Sequence, residues 1–153
     1  MMGSTMKTAV STLALSAPFM VMSGAGMADQ ATASWDLLAQ VEIEEIITDT
    51  TYEVRKAFPS KIENGIEAFD ITGYVVPLTD GPEITDFILV SDMGFCPFCG
   101  SPEHGTSLQV SMAAPTPGLE EGTRVTLRGA LEAVTDPETF QSTIMRDARL
   151  IDG

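Results

Sequence analysis

Histidine, cysteine and basic residues are scarce in this chain: one histidine, two cysteines and eight lysines and arginines stand among 153 residues, against 22 acidic ones. Each scarcity removes a class of chemistry. A formal charge of −14, with no basic cluster beyond Arg55-Lys56, excludes nucleic acid and anionic membrane surfaces as partners, because both would be repelled. A single imidazole leaves little to build a serine triad from, and Ser91 and Ser101, near His104, do not stand in a nucleophile elbow. Two cysteines cannot form the two knuckles of a closed structural zinc site. Glu42, Glu44, Glu45, Glu120 and Glu121 are scattered as solvated surface rather than as a glycosidase pair. There is no phosphate loop, dinucleotide fingerprint or internal repeat. The expectation is a protein that is not an enzyme.

What is present begins with a leader. Lys7 is the single charge before Asp29, the stretch from Thr8 to Gly26 is apolar or small and broken by Pro18, and it ends in the small-x-small triplet Gly26-Met27-Ala28. This is the make-up of a secretory signal peptide cut after Ala28, so residues 1–28 are expected to be removed and residues 29–153 to form a single exported domain. The apolar part is too short to span a bilayer and no later run is longer, so no membrane insertion is expected after cleavage. The expected location is periplasmic or secreted. Loss of Lys7 with every acid retained takes the net charge to about −15. A domain of this size buries about two-thirds of its unfolded surface and needs neither metal nor disulfide to fold. Only Met93, Met112 and Met145 follow the leader, which is ordinary core content rather than a copper stripe.

Strand signals dominate the exported part. Val41 and Ile43 alternate with Glu42 and Glu44, and Tyr52 and Val54 follow the polar turn Thr48-Asp49-Thr50-Thr51, which predicts a hairpin. From near Glu67, Phe69, Ile71 and Gly73 alternate with Asp70 and Thr72, and Tyr74-Val75-Val76 runs to Pro77, where a ladder should stop. Asp80-Gly81-Pro82 predicts a turn, Phe87-Ile88-Leu89-Val90 a short buried strand, and Leu108, Val110 and Met112 its return. Ala113 to Gly122 is expected to be a proline-rich loop, Val125 to Leu131 a further strand and Thr143 to Leu150 the last. Trp35 to Gln40 suits either a short helix or the start of the first strand. Five core strands in meander order, with glycine inside two of them, predict an all-β domain. The expected form is a small OB-like barrel with an added N-terminal hairpin, closed so that no edge is exposed, the usual OB helix giving way to the proline-rich loop. A β-sandwich is the alternative. Tyr74 and Phe87 are assigned to barrel packing.

Both cysteines and the histidine fall within nine residues, Cys96-Pro97-Phe98-Cys99-Gly100 being followed closely by His104. Thiols three apart on a turn, with proline fixing φ inside it and glycine just after, suit a metal knuckle, a redox dithiol or a small disulfide loop. As a metal site, Cys96, Cys99 and His104 supply three corners of a tetrahedron for zinc or, second, copper(I). The fourth corner falls to Glu103, Asp92, a methionine such as Met93 or Met112, water or another protein, and such an open site suits delivery or capture. The redox option starts from the likeness of Phe87 to Cys99 to the glutaredoxin strand and turn. It lacks the helix that would activate the first thiol, because Gly100-Ser101-Pro102 follows the second. A Cys96–Cys99 disulfide closes a very short ring worth about 2 kcal/mol, and in an oxidising compartment it is also the natural apo form of a metal site.

In order along the chain, Trp35-Asp36-Leu37-Leu38-Ala39, Phe58-Pro59, Thr72-Gly73-Tyr74-Val75-Val76-Pro77, Phe87-Ile88-Leu89-Val90, Cys96-Pro97-Phe98-Cys99-Gly100 and Leu127-Arg128-Gly129 resemble the core pattern of a family of small exported bacterial proteins, domain of unknown function 3299. The resemblance covers nearly the whole exported domain and brings no established activity. It implies a setting beside envelope transporter components for metal supply, with the second cysteine replaced in some members. Together these point to a periplasmic metal-binding or metal-handling accessory protein, zinc before copper(I). A non-metal OB-like adaptor, its cysteine pair stapling a loop, is the alternative.

Overall fold

The computed structural model describes residues 25–93 and 107–151, with side chains described from residue 31 onward. A helix, α1 (Ala25–Leu38), is followed by strands β1 (Glu42–Ile47) and β2 (Tyr52–Ala57), one helical turn α2 (Ser60–Glu63), and strands β3 (Ile66–Pro77), β4 (Glu83–Val90), β5 (Ser107–Pro117), β6 (Arg124–Ala133) and β7 (Thr143–Leu150). The first two strands pair with each other alone; the last five close into a barrel in the order β3-β4-β5-β7-β6. The molecule is thus mostly β, a small OB-like barrel with a hairpin ahead of it.

The alternating apolar residues turn inward as their period requires. Ile71 and Val75 of β3, Phe87 and Leu89 of β4, Leu108 and Val110 of β5, Leu127 and Leu131 of β6, and Met145 and Ala148 of β7 are all fully buried in one core. Where the period slips, a bulge absorbs it. Ile84 and Phe87 both face inward across the shift between Ile84 and Asp86, and Met145 and Ala148 do so around Asp147, whose φ of 51° puts it in the left-handed region that aspartate tolerates.

The strands do not run as a meander. β5 and β7 lie side by side and parallel, and β6 pairs with β3 and β7. A closed ring with an odd number of strands cannot alternate direction all the way round, so one parallel pair is unavoidable, and alternation within a strand carries no information about where it falls. The expected loop from Ala113 to Gly122 also shortens. β5 continues to Pro117, paired with β4 as Ile84↔Thr116 and Glu83↔Pro117, after β7 has parted from it beyond Met112. Pro115 and Pro117 thus stand where β5 has a neighbour on one side only, which proline tolerates. The remaining connection, residues 118–123, contains no helix. Phe87 is barrel core, but Tyr74 is not: with Gly73 and Val75 turned inward, Tyr74 is half-buried on the outer side.

The segment Trp35 to Gln40 resolves as the end of α1 and the turn after it. β4 pairs only with Tyr74 to Pro77 of β3, so the earlier half of β3 has β6 on one side and no strand on the other. α1 covers that edge: Ser34 Oγ donates to the Asp70 carbonyl and Trp35 Nε1 to the Thr72 carbonyl, both at 2.7 Å. α2 presents Ile62, fully buried, to the core between Pro59 at its start and Gly65, with φ of 74°, after its end. Among the described residues no helix is long and apolar enough to cross a membrane.

Candidate functional site

Cys96, Cys99, Glu103 and His104 lie outside the described residues; the stem that carries them lies within. β4 and β5 pair antiparallel as far as Val90↔Ser107, and Leu89, Val90 and Leu108 are fully buried. The two ends of segment 91–106 therefore start from opposed positions about 5 Å apart, on strands anchored in the core. Their neighbours fix the exit of β4. A Cβ at Gly73 would lie 2.6 Å from the Val90 carbonyl oxygen, 2.8 Å from Leu89 Cγ and 2.9 Å from Trp35 Cζ2, so only glycine admits this packing of the Trp35 ring, β3 and the end of β4.

Asp92 and Met93 are exposed just beyond that exit. Met93, expected in the core, instead has its methyl group beside the β5–β6 turn, 3.3 Å from where a Cβ at Gly122 would sit. That turn is itself tied to β3, Gly122 N–H donating to the Val75 carbonyl at 2.8 Å and Val75 N–H to the Thr123 carbonyl at 3.0 Å. Met112 is buried in the core with Met145 and is thereby removed as a fourth ligand. Among the described residues no group of three or more histidines, cysteines or acids is placed to hold a metal.

Two depressions flank this rim. One, of about 390 Å³, lies between α1 and the barrel and is lined by Trp35, Tyr74, Ser91 and Arg124 among others. The other, of about 530 Å³, lies between the β3–β4 connection and the β5–β6 turn, with Pro77, Pro82 and Leu119 as apolar lining and Asp80, Glu120 and Glu121 as its charges.

Four of the seven lysines and arginines among the described residues are engaged within the molecule. Arg128 stands directly opposite Asp70 across β3 and β6 and donates to both carboxylate oxygens at 2.6 Å. These hydrogen bonds, helped by the guanidinium charge, hold the Asp70 carboxyl below its usual range against partial burial. Arg146 pairs with Glu132 at 2.8 Å and Arg55 with Glu53 at 3.3 Å. Lys56 of β2 donates to three carbonyls of the β6–β7 connection, those of Val134 at 3.0 Å, Asp136 at 2.8 Å and Gln141 at 2.7 Å. Burial lowers its pKa, with the Asp136 charge opposing. Val54 N–H adds a bond to the Pro137 carbonyl at 2.8 Å, so the hairpin is fastened to the barrel at this connection. The pair Arg55-Lys56 is visible in the sequence; that Lys56 is a clamp is not, because its acceptors lie about 80 residues further on.

The acids at 42, 44, 45, 120 and 121 are all exposed. Comparison with protein-family models, with curated proteins and with solved structures returns no match.

Proposed function

We propose that the protein is a periplasmic metal-binding or metal-handling accessory protein that takes zinc, and copper(I) second, on Cys96, Cys99 and His104. The observation that supports this most is the stem: Val90↔Ser107 is a paired, core-anchored position, so the segment holding all three donors begins and ends at one place. Anchoring both ends lowers the entropy lost when three side chains converge on one ion. Asp92 and Met93, both exposed at the stem, and Glu103 are the fourth-ligand candidates within the chain, and a partner or water is the other source. Two thiolates with an imidazole favour zinc; a thioether-rich set favouring copper(I) is not available, since Met112 and Met145 are in the core and Met93 alone is exposed near the stem. The acidic surface attracts cations and basic partner surfaces, in keeping with a transporter component of the envelope as recipient. A Cys96–Cys99 disulfide is the resting form, and metal loading then requires a reductant.

The test is zinc titration of the reduced protein, purified without chelator. About one zinc per chain is expected. Cys96→Ser and Cys99→Ser should weaken it more than His104→Ala, and affinity should fall as pH drops, since protons compete for sulfur and imidazole. Reduced wild type that binds neither zinc nor copper(I) better than the double-serine variant overturns the proposal in favour of a metal-free adaptor.

A further inference from the structure

We propose that β1 is a docking edge for an extended, basic and apolar segment of a partner protein, which adds to the hairpin as a third strand. This stands apart from the metal proposal. Thr48 N–H donates to the Thr51 carbonyl at 2.9 Å, and from there the antiparallel alternation runs down the ladder. Glu42, Glu44 and Ile46 turn their backbone groups toward β2, and Ile43, Glu45 and Ile47 turn theirs away. The same alternation sends Val54 N–H outward from β2, where it meets the Pro137 carbonyl, which confirms the phase independently. The outer edge of β2 is thus occupied at its middle, Val54, whereas among the described residues β1 pairs with β2 alone.

An open edge is a template for any strand, and this one selects by charge. Three of its six residues, Glu42, Glu44 and Glu45, are exposed acids. Like charges directly opposite each other destabilise a strand pair, so a second copy of this chain is disfavoured, whereas lysine or arginine at those places is favoured. The remaining three residues are isoleucines, and the outermost, Ile47, is 69 % exposed beside Tyr52 at 44 %. Tyr52 rests against the ring of Phe140 at 6.2 Å between centroids and its hydroxyl donates to Glu45, so Ile47 is the apolar side chain left exposed at the end of the hairpin, beside the acidic edge. An occupant that matches both is an extended segment mixing basic with branched apolar residues.

The probe is a synthetic peptide alternating lysine and valine, added to the full chain. Amide hydrogen exchange at Ile43, Glu45 and Ile47 is expected to slow at least about tenfold at saturation, with Glu44 and Ile46, already in the ladder, little changed. Glu45→Pro removes an outward N–H without touching the β1–β2 ladder. It should cut peptide affinity at least about tenfold while Glu44 and Ile46 stay protected, and Glu45→Gln should have a smaller effect. The proposal is overturned if the three outward amides exchange as before, if Glu45→Pro binds as wild type does, or if a glutamate-valine peptide protects them equally.

Discussion

At the residue scale, Gly73 explains why three separated pieces of the sequence belong together. The Trp35 ring, the end of β4 and the middle of β3 approach so closely that one methyl group would overlap backbone as well as side-chain atoms. Gly73→Ala should therefore lower the unfolding free energy by about 1–3 kcal/mol in urea titration, and an unchanged midpoint would show that the contact has slack. Gly129 is a second such position, where a Cβ would lie 2.7 Å from the Arg146 carbonyl oxygen at the β6–β7 bulge. Both glycines are conspicuous in the sequence as breaks in apolar strands, which signals a close approach without saying to what. Tyr74 and Met93 show the limit from the other direction. Hydrophobic character alone assigned them to the core, yet the pleat turns Tyr74 outward and Met93 lies past the last paired residue of β4.

Elements with local causes were legible. The hairpin lies where its alternation and polar turn put it, and β7 has the predicted ends, because period and turn chemistry are properties of neighbouring residues. Elements that depend on distant partners were not. β5 runs on through two prolines because β7 leaves its side, and α1 is fixed by donors that reach carbonyls of β3. The single turn α2 carries legible marks, Pro59 before it and Asn64-Gly65 after it, but at four residues it lacks the length over which helical period shows. The docking of the hairpin gives the prediction at this scale. Lys56→Met leaves three carbonyls short of a charged donor, so the hairpin should lose about 1–3 kcal/mol of its attachment. Amides of β1 and β2 should then exchange faster while those of the barrel do not; uniform acceleration would mean that hairpin and barrel unfold as one unit.

For the whole molecule, the closed barrel was legible from composition and strand count, whereas strand order was not, since pairing is set by which edges remain when the ring closes. The candidate site divides similarly. Its donors stand out in the sequence by type and spacing, and the core-anchored stem beneath them emerges only from the pairing of β4 and β5. The core of the described residues is continuous from α1 to β7, and a domain of this size can bury enough surface to fold without a staple. Replacing Cys96 and Cys99 together by serine should leave the domain folded, with a loss no larger than about 2 kcal/mol in thermal or urea unfolding. The same variant should fail to support growth under zinc limitation while remaining abundant. Collapse of the fold would make the cysteines structural, and normal growth under limitation of both zinc and copper would dissociate them from metal handling.

The place of β7 in the ring has a consequence for how the protein is made. Its strand fills the slot between β5 and β6, although it follows the other four barrel strands in the sequence. A growing chain that has not reached Thr143 holds four barrel strands with two ladders left open, so cooperative closure must wait for the last barrel strand. Such late, long-range pairing makes folding slow. Closure of the barrel is therefore a late, long-range event, and its timing is written into the strand order rather than into any separate signal.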